Sequence, residues 1–239
     1  MKISIIHASF GRAELQALTA WKWIERTSGK HDIEYLLSID KSDTSEYPDS
    51  ISWKQDYVTA KVIKNDTNTS VAAINKAASK STGDILIVIS DDFDCPKNWD
   101  DLIVETVGDK TDWILKTQDG TQPWIITLPI MDRAYYESYG YVYPPGYFHM
   151  FCDCELTHQA DITKCKLTSD LLFKHDHYSV GGITKDQTSN KADKTWEQGK
   201  KMYLTKCKEW VSLGIDIYNL PKEAQGHINW LKNEYARFK

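Results

Sequence analysis

Ile85-Leu86-Ile87-Val88-Ile89-Ser90-Asp91-Asp92-Phe93-Asp94 is the stretch on which the fold of this chain turns. Five consecutive aliphatic residues with no polar interruption describe a strand covered on both faces, as in the interior of a parallel sheet. The run ends on a cluster of carboxylates. Pro96 then opens a helix through Trp99, Leu102, Ile103 and Val107 that stops at Gly108.

Working back from this strand, Asn68-Thr69-Ser70 offers capping side chains for a helix with Val71, Ile74 and Ala78 inward, ended by Gly83. Before it, Val58–Ile63 and Tyr35–Ile39 read as strands, the second ending at Asp40. Gly11-Arg12 turns into a helix whose apolar stripe is Leu15, Leu18, Trp21 and Ile24, and Ile3–Ile6 is the first strand. This β-α-β-α rhythm predicts an α/β fold, a central mostly parallel sheet between helices with right-handed crossovers. Ligands of such sheets gather at the C-terminal strand ends. His7-Ala8-Ser9, Asp40 and the Asp91/Asp92/Asp94 cluster all fall at such ends.

Working forward, Trp124–Ile130 reads as a strand and Arg133–Tyr139 as a short helix. An aromatic, proline-rich loop, Tyr141–Tyr147, leads to Phe151-Cys152-Asp153-Cys154-Glu155-Leu156, which opens a helix reaching about Ala160. Leu171-Leu172-Phe173 is a last strand, followed by Lys174-His175-Asp176-His177. After a polar loop, one helix carries Trp196, Tyr203, Cys207 and Trp210, and another from Pro221 carries Ala224, Ile228, Leu231, Tyr235 and Phe238. Residues 1–184 are thus expected to form a core and 185–239 a C-terminal helical extension packed on it, with no internal repeat and no Gly/Ser linker.

The chain has 239 residues and a formal net charge of −5, its acidic excess lying in the first 184 positions. That balance argues against non-specific nucleic-acid binding, which needs Lys and Arg to displace counterions. Five Cys is an odd number for a disulfide scaffold. No segment approaches the ~20 consecutive apolar residues of a membrane span. The opening Met1-Lys2-Ile3-Ser4-Ile5-Ile6 lacks the apolar run of a signal peptide. A reduced, cytoplasmic protein is the expectation.

The chemistry concentrates in three places. Packed carboxylates at Asp91, Asp92 and Asp94 repel unless a cation neutralises them, and hard oxygens suit Mg²⁺ or Mn²⁺ beside a phosphate. The same cluster also fits a solvated turn that caps the Pro96 helix. Asp153 and Glu155 sit at a helix start, where the dipole is expected to lower their pKa; one could act as a general base, or both could simply cap the helix. His175 or His177 could supply an imidazole to the carboxylates. Cys152-Asp153-Cys154 lacks the spacing of a structural zinc site and has no matching second pair.

In order and placement these segments resemble GT-A fold glycosyltransferases, closest to the inverting family 2 type. Ser4-Ile5-Ile6-His7-Ala8-Ser9-Phe10-Gly11-Arg12 resembles the nucleotide-binding first strand and turn, and Asp40 the aspartate that contacts the base. Asn75 in Ala73-Ile74-Asn75-Lys76-Ala77 resembles the asparagine of the helix before the metal strand. Asp92-Phe93-Asp94 resembles the DxD motif, with Asp91 as an alternative register, and Cys152-Asp153-Cys154-Glu155-Leu156 the later acidic motif, with Cys152 where those enzymes carry Glu.

The resemblance implies a Rossmann-like three-layer sandwich over roughly the first 180 residues. It implies His7, Ala8, Ser9, Arg12, Asp40, Asn75, Asp91 and Asp92 at the donor, and Asp92, Asp94 and His175 or His177 at Mn²⁺ or Mg²⁺. Asp153 falls at the base position, with Glu155 beside it. The implied reaction moves a sugar, with inversion, from a nucleotide-diphosphate donor (a UDP-sugar by resemblance) to a hydroxyl of a glycan, lipid-linked or protein acceptor. Tyr141, Tyr143, Tyr147 and Trp124 are candidate sugar walls, and the polar residues between Val180 and Lys194 a candidate lid with Gly181-Gly182 as hinge. Two other classes use the same residues: a metal-dependent phosphohydrolase or nuclease, and a non-catalytic nucleotide-sugar or glycan-binding module.

Overall fold

The computed structural model describes residues 1–238, so that only Lys239 of the expected extension lies outside it. Its sheet has seven strands: β1 (Lys2–Ser9), β2 (Asp32–Asp40), β3 (Val58–Asn65), β4 (Ile85–Ile89), β5 (Ile114–Gln118), β6 (Ile130–Asp132) and β7 (Lys166–Leu172). Their spatial order is β3-β2-β1-β4-β6-β5-β7. The first four are parallel, β6 runs antiparallel to β4 and β5, and β7 lies parallel to β5 at the edge. The register sets Ser9 opposite Ile39 and His7 opposite Ile89, so β1, β2 and β4 finish at nearly one level.

The described residues form eight α-helices: α1 (Ala13–Glu25), α2 (Ser70–Ala78), α3 (Trp99–Val107), α4 (Arg133–Tyr139), α5 (Cys152–Thr163), α6 (Gln187–Asp193), α7 (Trp196–Ser212) and α8 (Gln225–Phe238). Strand alternation divides the core in two. Ile3, Ile5, Ile85, Ile87 and Ile89 pack with Trp23 and Ile24 of α1 and Trp99 and Ile103 of α3. Ile6, Leu86 and Val88 pack with Val71 of α2, Leu156 of α5 and Tyr203 of α7, which gives the expected helix–sheet–helix layering. Tyr203, Leu204, Cys207, Trp210, Leu231 and Tyr235 of the last two helices are continuous with that second core. Among the described residues no helix is long and apolar enough to cross a membrane.

Several sequence expectations are corrected. The stretch Trp124–Leu128 is not a strand: Pro129 has no amide to give a ladder, and the Ile126 amide donates instead to Thr157 Oγ1 at 2.8 Å. Strand β5 went unread, and β7 begins at Lys166 rather than Leu171 because an edge strand needs fewer apolar residues. In α1 the expected stripe holds at Ile24 and fails at Leu18 and Trp21. Leu18 and Trp21 are exposed, while Gln16, Thr19, Ala20, Trp23 and Ile24 are buried. Part of the polar loop after Val180 is helix α6, with its N-terminus capped by Asp186 Oδ1 accepting from Ser189 N at 2.8 Å.

Candidate active site

The C-terminal ends of β1, β2, β4 and β5, the start of α5 and the segment after β7 surround one cleft of about 1060 Å³. Nine of the expected site residues line it: Ala8, Ser9, Arg12, Asp40, Asp91, Asp92, Asp153, His175 and His177. His7, Asn75, Asp94 and Glu155 stand outside its lining.

The carboxylate turn after β4 is held from two sides. Thr19 Oγ1 donates to the Asp91 carbonyl at 2.6 Å and Trp23 Nε1 to the Phe93 carbonyl at 3.0 Å. The first of these bonds accounts for Thr19 on the buried face of α1. On the other side, Asp176 N donates to the Asp92 carbonyl at 2.8 Å and Asp94 N to the Lys174 carbonyl at 2.9 Å. The His175 ring stacks on Phe93 with centroids 4.2 Å apart.

His7 is fully buried below Asp91 rather than open to a ligand. Gln16 Nε2 donates to Tyr35 Oη at 2.7 Å, so the Tyr35 proton goes to His7 Nδ1 at 2.8 Å. That leaves the imidazole proton on Nε2, which donates to Asp91 Oδ1 at 2.9 Å. The chain Gln16–Tyr35–His7–Asp91 therefore aims one carboxylate from the interior. His7→Ala strands the Asp91 and Tyr35 oxygens and opens a cavity, with an expected cost of ~2–4 kcal/mol, read as a fall in the urea midpoint. A midpoint equal to wild type overturns this support role.

Asp92 and Asp94 diverge. Asp92 Oδ1 accepts from Ser90 Oγ at 2.6 Å and its Oδ2 lies 3.4 Å from His175 Nε2. Burial works to raise the Asp92 pKa, but the His175 imidazole and the Ser90 hydroxyl outweigh it and hold the carboxyl far below its ordinary value. Asp94 instead turns to Arg26 Nη1 at 2.6 Å and to its neighbour's amide, Cys95 N, at 3.1 Å. His177 is occupied locally, its Nδ1 2.7 Å from Ser179 Oγ. Among the described residues no three Asp, Glu, His or Cys side chains converge on a preformed cation position.

At the far wall, Asp153 Oδ1 accepts from Cys154 N at 2.9 Å, and burial raises its carboxyl above the ordinary value. Glu155 is raised as well, again by burial, although Tyr147 Oη donates to it at 2.5 Å. The expected dipole lowering is overturned in both. Helix α5 starts in the interior, and a dipole contribution of ~0.3–1 kcal/mol does not offset desolvation there. Glu155 faces Tyr147 and α7, away from the cleft.

At the end of β2, burial pushes the Asp40 carboxyl upward, yet Ser42 and the Asn68 amide hold it below its usual range. Arg12 lies at the cleft, with its fork on Asp186: Nε donates to Oδ2 at 2.6 Å and Nη2 to Oδ1 at 2.9 Å. Asn75 is spent on the aromatic loop. It donates to the Tyr143 carbonyl at 2.7 Å and accepts from the Val142 and Tyr143 amides at 3.0 and 3.1 Å. Of the expected sugar walls only Tyr143 lines the cleft; Trp124 is buried against Ala224 and Ile228. The Gly181-Gly182 pair shapes a tight turn. Gly181 has φ +79°, and a Cβ on Gly182 would sit 2.2 Å from the Asp176 backbone.

Asp119 and His149 are lining residues that the sequence reading did not single out. Asp119, just after β5, accepts from the Thr121 and Gln122 amides at 2.7 Å each and from Thr127 Oγ1 at 2.6 Å. The Asp119-Gly120 turn signal was its only trace. His149 stands in the aromatic loop beside Ser70 of α2, with no motif to mark it.

The model of the family described as Glycosyl transferase family 2 matches residues 17–159. The chain belongs to glycosyl transferase family 2. Solved structures share the fold of this glycosyltransferase at low identity. The mannosyltransferase PcManGT from Pyrobaculum calidifontis, in complex with GDP-Man and Mn²⁺, superposes with a TM-score of 0.65 at 12% identity, covering 99% of this chain and 73% of that one. S. aureus TarS 1-349 gives 0.60 at 10% identity, over 100% and 71% of the two chains. The same TarS fragment in complex with UDP-GlcNAc gives 0.60 at 10% identity, over 100% and 72%. No curated protein matches the sequence of this glycosyltransferase.

Proposed function

We propose that this glycosyltransferase takes a sugar from a nucleotide-diphosphate donor and passes it, with inversion, to an acceptor hydroxyl deprotonated by Asp153. One observation carries the reading: two carboxylates in a single cleft are driven apart, the Asp92 carboxyl held far below its ordinary value and the Asp153 carboxyl raised above it by burial. An ionised carboxylate suits a cation that meets a diphosphate. A raised one suits proton abstraction at neutral pH.

The donor end is Ser9, Arg12, Asp40 and Asp91, with Asp91 oriented by His7. The Asp92–His175 pair is an oxygen-and-nitrogen donor set that fits Mn²⁺ or Mg²⁺, with phosphate and water oxygens needed for the remaining positions. Held there by Asp92 and His175, such an ion would supply positive charge against the charge that grows on a departing nucleotide. Asp94, committed to Arg26, belongs to the support of the turn, which shifts the metal register to Ser90-Asp91-Asp92. Arg12 can leave Asp186 for a phosphate, since both offer it paired oxygens. Among nucleotides, uridine follows from the family resemblance.

A thermal-shift screen tests this directly. UDP-GlcNAc, UDP-glucose, GDP-mannose and the bare diphosphates are each run with MnCl₂ and with excess EDTA. At least one nucleotide sugar is expected to raise the melting temperature with Mn²⁺ and much less with EDTA. Equal shifts in both conditions overturn the cation assignment, and no shift by any of them overturns the donor assignment.

A further inference from the structure

His149 stands exposed on the cleft wall in a segment pinned at three consecutive residues. Ser70 Oγ donates to the Phe148 carbonyl at 3.0 Å, Cys152 Sγ to the His149 carbonyl at 2.9 Å, and Thr195 Oγ1 accepts from Met150 N at 3.2 Å. Cys152, which occupies the place of the family's glutamate, thus has a definite task. It anchors the backbone of a residue on the reaction cleft.

The hydrogen-bond inventory fixes how the ring is protonated. A serine hydroxyl has a single proton, and a carbonyl oxygen can only accept, so the Ser70 proton is used on Phe148. The 2.7 Å contact between Ser70 Oγ and His149 Nδ1 must then be an Nδ1–H donating to Oγ. With the proton on Nδ1, the neutral ring presents an unprotonated Nε2. An Nε2 lone pair repels a phosphate oxygen and accepts from a hydroxyl. In a cleft that also presents the carboxylates of Asp40, Asp91, Asp92 and Asp153, a neutral acceptor of fixed direction suits a polyol. It distinguishes one hydroxyl configuration from its epimer, which would leave the nitrogen unpaired.

We propose that His149, oriented by Ser70, accepts a hydrogen bond through Nε2 from a sugar hydroxyl bound in the cleft, and so helps set which sugar reacts. The proposal rests on the glycosyl-transfer reading. The hydroxyl can belong to the donor sugar or to the acceptor, and the test separates them. His149→Ala removes the acceptor atom. His149→Gln carries a carbonyl to about the reach of Nε2, whereas His149→Asn reaches only as far as Nδ1. Ser70→Ala leaves the ring but releases its orientation.

Each variant is titrated by calorimetry, with Mn²⁺, against the nucleotide sugar selected in the thermal-shift screen and against its bare nucleoside diphosphate. Each is also assayed for transfer to a panel of methyl glycosides. If the hydroxyl is the donor's, His149→Ala weakens the nucleotide sugar by about five- to tenfold and the bare diphosphate by less than about twofold. If it is the acceptor's, both affinities hold and KM for the preferred methyl glycoside rises by about five- to tenfold. In either case Gln recovers more than Asn, and Ser70→Ala gives a smaller loss of the same kind. Unmoved affinities and KM, or equal recovery by Asn and Gln, overturn the proposal. Wild-type chain that binds no nucleotide sugar overturns the transfer reading along with it; wild-type binding with unmoved variants overturns this inference alone.

Discussion

Asp153→Asn is expected to lower the rate of glycosyl transfer by ~100- to 10,000-fold while nucleotide-sugar affinity stays within about twofold of wild type. The carboxylate lies on the cleft wall supplied by α5, across from the strand ends that would hold the nucleotide. An amide keeps its size and its bond from Cys154 N but cannot take a proton. The loss should therefore appear in kcat, with little change in donor binding. The raised carboxyl makes a second, pH-resolved expectation. The base must be ionised to act, so activity falls as pH drops through a pKa displaced above the ordinary carboxylate value. The acid limb of kcat is thus expected above the pH range of an ordinary aspartate.

The same displacement has a consequence for stability, with the opposite sign from a salt-bridged aspartate. Where the folded pKa lies above the unfolded one, the native chain binds more protons between the two, and stability falls as pH rises through that window. Above that window Asp153 is therefore a cost to the fold. Asp153→Asn removes it, and its melting temperature at pH 7 is expected to equal or exceed that of wild type. A variant that is both inactive and less stable points to a structural aspartate. Wild-type turnover by a well-folded Asp153→Asn protein sinks the base assignment outright.

What the sequence made legible follows from how strongly each residue's neighbours are local. The Ile85–Ile89 run, the cap at Thr69 and the strand-end carboxylates carry their meaning within a few positions, and their elements appear where the pattern puts them. The facing of α1 could not be read that way. Leu18 and Trp21 outweigh Gln16 and Thr19 in any apolar count, yet the polar pair is inward because the turn at Asp91 and the Tyr35 hydroxyl need donors. The Thr19–Asp91 bond joins residues 72 positions apart. His149 and Asp119 illustrate the same limit. A lone histidine in an aromatic loop acquires significance only once Ser70, 79 positions earlier in the chain, is set beside it.

The acidic motif is where local reading and geometry compete most sharply, and a pair of substitutions decides between them. Read as Asp92-Phe93-Asp94, both aspartates hold the cation and both asparagine variants should lose donor binding alike. In the folded chain only Asp92 lines the cleft; Asp94 meets Arg26, at a site where each side chain is about one-third exposed. Asp92→Asn removes the ionised oxygen next to His175, and a lost ligand should cost more than the ~10–100-fold in metal affinity that a lost supporting residue does. The Mn²⁺-dependent part of nucleotide-sugar affinity is therefore expected to vanish in calorimetry. Asp94→Asn breaks a partly exposed ion pair worth ~0–1 kcal/mol, so it should shift the urea midpoint slightly and leave donor affinity within about twofold. Equal loss of Mn²⁺-dependent binding in the two variants would return the metal to the Asp92/Asp94 register. It would require the turn to swing Asp94 off Arg26 when the donor arrives, and Arg26→Ala would then strengthen donor binding by releasing it.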